Sequence, residues 1–158
     1  MRFCTLMFAL LVPWPAFALS CLPPSVERSY AQAAAAAEDY VVVHGRLTLD
    51  MDMLPRSSLS DQQPPEMTWI NGALVGKSLS QSGFKVPFDH KITLEVACLG
   101  PWCGSAQNGE DILAFVRKDG ADYALEINPC GGNVSGAPKR KMLKTVATCM
   151  REGVCSAQ

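Results

Sequence analysis

Residues 111–128 read DILAFVRKDGADYALEIN, and this stretch decides the class of fold. Two alternating apolar runs, Asp111 to Arg117 and Asp122 to Asn128, flank Asp119-Gly120. Glycine reaches positive φ at little cost, so the stretch predicts an antiparallel hairpin. Upstream, Lys91 to Cys98 is a further strand, with Ile92, Leu94, Val96 and Cys98 inward and Lys91, Thr93 and Glu95 outward. Met67 to Leu74 and Val75 to Leu79 read as a weaker strand pair around Gly72 and Gly76. Tyr40 to Asp50 alternates cleanly, Val41, Val43, Gly45, Leu47 and Leu49 on one face, with His44 and Arg46 among the residues on the other. Between these strands, Asp52 to Glu66 holds Pro55, Pro64 and Pro65 among serines and glutamines, the composition of a long exposed loop.

A helix is expected at each end. Ser25 is a cap, Glu27 an acid in the first turn, and Ala33 to Ala37 a run of the best helix former. After Pro138, residues Met142, Leu143, Val146, Cys149 and Met150 recur at helical spacing, and Gly153 fits the end. Short strands at short intervals without regular βαβ alternation suggest a mainly β chain with flanking helices, a small closed or partly closed barrel. An open α+β sandwich is the alternative.

The length of 158 residues fits one domain, and 14 basic against 15 acidic residues exclude a basic nucleic-acid binder. Arg2, the apolar run Phe3 to Val12 and Ala16-Phe17-Ala18 together predict a signal peptide over 1–18, leaving one domain over 19–158. The chain is therefore expected to be exported, periplasmic or secreted. Ala18-Leu19-Ser20-Cys21 also approximates a lipoprotein box, which makes a lipid anchor at Cys21 a second expectation. Cleavage after Ala18 leaves six cysteines, Cys21, Cys98, Cys103, Cys130, Cys149 and Cys155. An even number in an exported chain argues for three disulfides, and fifteen pairings stay open.

Several stretches together resemble netrin-type modules and tissue inhibitors of metalloproteinases. Leu19-Ser20-Cys21-Leu22-Pro23-Pro24 is similar to their Cys-x-Cys opening, Tyr40 to Leu47 to their first barrel strand and Ile92 to Val96 to a central one. Cys103-Gly104, Gly109, Ile112 to Phe115 and Cys130 follow in the family's order. The resemblance implies a small five-stranded OB-like barrel, stapled by disulfides, with helices beside it. It also implies pairing of Cys21 with Cys130. The usual partner of Cys103 is absent, Cys98 is near enough to replace it, and Cys149 and Cys155 remain for each other. Leu19 stands where the inhibitors present their zinc-chelating cysteine, which argues against metalloprotease inhibition.

The residues point away from recognised catalytic chemistry. Cys98 and Cys103 lack the Cys-x-x-Cys spacing at a helix start that a redox pair uses, and exported cysteines are poor candidates for zinc. His44 falls on the outward phase of a strand and His90 beside a turn. No nucleophile elbow, zinc-protease helix or phosphate loop occurs. Asn133-Val134-Ser135 matches a glycosylation acceptor, and Lys139, Arg140, Lys141 and Lys144 form a small basic cluster, ordinarily a solvated face. The expectation is an exported, non-catalytic binding or accessory structural module of the bacterial envelope, without cofactor or metal and with a macromolecular partner. Trp69 and Trp102 are its candidate recognition residues. The alternatives are a protease inhibitor acting through its N-terminal edge and an enzyme with a site scattered in sequence.

Overall fold

The computed structural model describes residues 19–57 and 63–155; the predicted signal peptide and the middle of the predicted loop lie outside them. The described elements are α1 (Val26–Ala35), β1 (Asp39–Leu49), β2 (Met67–Ser80), β3 (Gly83–Leu99), β4 (Trp102–Cys103), β5 (Asp111–Asp119), β6 (Asp122–Ile127), β7 (Val134–Gly136) and α2 (Arg140–Glu152). Five strands close on themselves in the order β1-β2-β3-β6-β5-β1. β3 and β6 are parallel, Leu94 opposite Leu125, and every other pair around the ring is antiparallel. The molecule is thus a mainly β, OB-like closed ring with two helices, and the open alternative is not formed.

Alternation along β1 explains the closure. Val43 and Leu47 are fully buried inside the ring with Leu74, Leu94, Val96, Ile112, Val116, Leu125 and Ile127. On the opposite face of β1 and β5, Val42, Leu113 and Phe115 are also buried, because Val26 of α1 and Val146 of α2 cover them. Both faces of this sector are therefore apolar, and the sector forms the layer between ring and helices. Gly120, at φ 60°, is the first of two residues joining β5 to β6, where a II′ turn requires positive φ.

The sequence reading of residues 67–79 requires correction. Gly72 and Gly76 do not turn the chain; β2 runs unbroken from Met67 to Ser80, and the turn to β3 is at Gln81-Ser82. The glycines serve close approach instead. Gly76 lies opposite Gly45 of β1, and a Cβ on Gly76 would collide with the His44 carbonyl and the Gly45 Cα. The pair lets the two backbones crowd together as the sheet coils.

The Ser25 hydroxyl oxygen accepts from the Arg28 amide at 3.3 Å and its O–H donates to the Glu27 carboxylate at 2.7 Å. That second bond is the main reason Glu27 is held below the usual carboxylate range. A depressed folded-state pKa contributes stability above the unfolded value, and the contribution is lost as pH falls through the folded value. Ser25→Ala is expected to cost about 1 kcal/mol at neutral pH. The deficit should shrink on acidification below the ordinary glutamate range, as urea unfolding of both proteins at neutral and acidic pH will show.

Three disulfides tie the chain: Cys21–Cys130, Cys98–Cys103 and Cys149–Cys155. The first fastens the strap before α1 to the segment after β6. A sulfur so committed is not free to carry the lipid anchor considered for Cys21.

Candidate binding surface

The outer face of β2 and β3 follows from the residues that fill the ring. Ile70, Leu74, Ile92, Leu94 and Val96 point inward, so Met67, Trp69 and Asn71 face outward opposite their partners Ala97, Glu95 and Thr93. Leu99 continues that outward phase, and Trp102 of β4 pairs with it. Trp69 is 65% exposed and Leu99 52%, while Met67, Ala97 and Trp102 are half-buried. These residues form an apolar band at one end of the ring.

Two local constraints hold the band. Cys98 and Cys103 are direct partners across β3 and β4, with Cα atoms 4.0 Å apart, so their bridge fixes the turn that carries Leu99 and Trp102. The Cys103 amide also donates to the Ser57 hydroxyl at 3.1 Å. Beside Trp69, Glu95 receives a fork of two hydrogen bonds from Arg117, at 2.6 and 3.1 Å. The bonded carboxylate keeps the Arg117 guanidinium above its ordinary value. The pair spans β6 and gives the apolar band a fixed polar margin.

Next to the band, a cleft of about 670 Å³ opens between the outer ends of the strands, with Thr48, Asn71, Lys91, Thr93, Asn108 and Tyr123 among its walls. Its polar groups are amides, hydroxyls, one ammonium and the Asp122 carboxylate, a set suited to hydrogen bonding.

The two histidines are apart from one another. His44 places Nε2 2.9 Å from an Asp111 carboxylate oxygen, and its ring meets the edge of Phe84 at 5.8 Å. His90, expected beside a turn, lies within β3 and packs on Phe88 and Tyr123 at 4.7 and 4.6 Å. Among the described residues, no group of three or more His, Cys, Asp or Glu is placed to hold a metal ion. The Asn133 backbone is pinned on both sides, its amide donating to Glu126 and its carbonyl accepting from Phe115.

Trp69 and Trp102 thus share one outward phase, although they belong to different strands. Sequence reading missed Leu99, Met67 and the Glu95–Arg117 fork. Carrying the alternation of Lys91 to Cys98 one residue further would have found Leu99; the fork depends on pairing that sequence does not show.

No protein-family model, curated protein or solved structure matches this chain.

Proposed function

We propose that this protein is an exported, non-catalytic module of the bacterial envelope that binds another macromolecule through the apolar band of Trp69, Leu99 and Trp102. The observation that carries the reading is the exposure of Trp69 and Leu99 on a face fixed by the Cys98–Cys103 bridge and the Glu95–Arg117 fork. A preorganised aromatic anchor loses little conformational freedom on binding, which is why such residues dominate interface energetics. Three disulfides and the predicted signal peptide fit an exported protein.

A photo-crosslinking side chain placed at residue 69 or 99 in cells is expected to capture the same discrete partner. The adduct formed from residue 99 should be lost when Trp69→Ala is added. Residue 85, exposed near the far end of β3, should capture nothing in common with them. Equal patterns from all three positions would defeat the reading. If the chain is instead an inhibitor acting through its N-terminal edge, the adducts will come from residue 22, whose side chain is 70% exposed beside Cys21.

A further inference from the structure

Charge is unevenly divided along this chain. Residues 139–155 hold five basic side chains, Lys139, Arg140, Lys141, Lys144 and Arg151, and the single acid Glu152. Residues 19–138 hold eight basic and fourteen acidic side chains. A chain that is net acidic from Leu19 onward therefore has one strongly cationic element.

Helical geometry gathers that charge into a line. At about 100° per residue, Arg140, Lys144 and Arg151 fall within about 40° of one another around α2, and Lys141 borders the same stripe. All four are exposed, whereas Val146 and Cys149 on the opposite face are buried and Met142 and Met150 pack against the helical core. Among the described residues none of the four forms an ion pair. The placement also opposes the helix dipole. Arg140 and Lys141 occupy the first turn, which has no acid, and Lys139 at the cap position supplies no side-chain hydrogen bond. Cations at that end are repelled by the partial positive charge of the unpaired amides. Folding alone would favour the reverse arrangement.

We propose that the outer face of α2 docks this protein on an anionic phospholipid surface. The stripe is about 16 Å long from Arg140 to Arg151 at 1.5 Å per residue and lies on the side of α2 turned away from the core, so its cations can meet a plane together. Val154, 65% exposed just past Gly153, adds an apolar side chain at the end of the stripe. A small phosphate held in the groove beside the stripe would face Glu27 and Glu152 as well as Arg140, Lys141 and Lys144, so the groove offers it little net positive charge. The rest of the chain is acidic and is repelled by the same surface, which leaves α2 as the face turned toward it.

Vesicle co-sedimentation of the folded, disulfide-bonded protein tests this. Vesicles containing phosphatidylglycerol should bind it and phosphatidylcholine vesicles should not. Binding should weaken as ionic strength rises from about 0.01 to about 0.15 M, which shortens the screening length from about 30 to about 8 Å. Replacing Arg140, Lys141, Lys144 and Arg151 together by glutamine should weaken binding to phosphatidylglycerol vesicles by at least about tenfold. A matched variant with Arg46, Lys77, Lys85 and Lys118 changed to glutamine should stay within about threefold of the parent. Circular dichroism verifies that both variants are folded. Equal losses in the two variants, or no preference of the parent for phosphatidylglycerol, would overturn the proposal. So would binding to inositol hexakisphosphate without binding to vesicles, which would assign the stripe to a soluble polyanion.

Discussion

Replacing Cys21 and Cys130 together by serine is expected to lower the unfolding free energy by about 4 to 5 kcal/mol, the largest loss from removing any one bridge. The bond joins residues 109 apart, and cutting it releases a correspondingly large ensemble of unfolded conformations. Cys149 and Cys155 are six apart, and the same loop-closure argument assigns their removal about 2 kcal/mol less. The strap from Leu19 to Ser25 should also come free, since the bond to Cys130 is the covalent tie that holds it to the ring. Denaturant unfolding of the two double variants beside the parent gives the comparison directly. Equal losses would mean that the strap retains its contacts with the ring in the unfolded chain.

Gly76→Ala is expected to be nearly as damaging, at about 3 kcal/mol or more. The new methyl group would meet backbone on β1, the His44 carbonyl and the Gly45 Cα, and backbone cannot step aside as a flexible side chain can. Positive φ plays no part at this position, so the cost is that of prising β1 from β2. Gly120→Ala offers a contrast. Nothing lies within 4 Å of a Cβ there, and the cost is confined to holding alanine at φ 60°, about 1 to 2 kcal/mol. Thermal unfolding should therefore rank the parent above the Gly120 variant and the Gly120 variant above the Gly76 variant. The reverse order would show that β1 and β2 can separate locally without loss of the ring.

The contrast between these glycines also marks how much of the fold was legible. Gly120 follows an aspartate between two alternating runs, a local signal for a turn that needs no knowledge of the rest of the chain. Gly76, which follows Val75, reads on local grounds as a break between two strands. What distinguishes it is Gly45, thirty-one residues earlier, placed opposite by a register that only the closed ring determines. β1 was legible for the opposite reason, because alternation from Tyr40 to Asp50 reports burial on one side without reference to a partner. The early part of β3 was not: Lys85, Val86 and Pro87 are all exposed and Phe88 is buried, so no period of two runs through them. Cysteine spacing left fifteen pairings open, since Cys21 and Cys130 are brought together by the whole path of the ring. For the candidate surface, Trp69 and Trp102 drew notice as aromatic residues, but their common phase depends on the pairing of β2 with β3 and of β3 with β4.

The continuity of β2 makes it a spacer of set length. Leu79 lies under the helical layer and Trp69 ten residues away on the outward face, and no loop interrupts the strand between them. At about 3.3 Å per residue the two ends stand at most about 33 Å apart, less whatever the coiling of the sheet removes. Moving Trp69 relative to the helices requires a slip of register, and a one-residue slip would turn Ile70 and Leu74 out to solvent. Whatever docks at Trp69 is thereby held at one standoff from the helices, so spin labels on the two ends should report a single narrow distance with the partner present or absent.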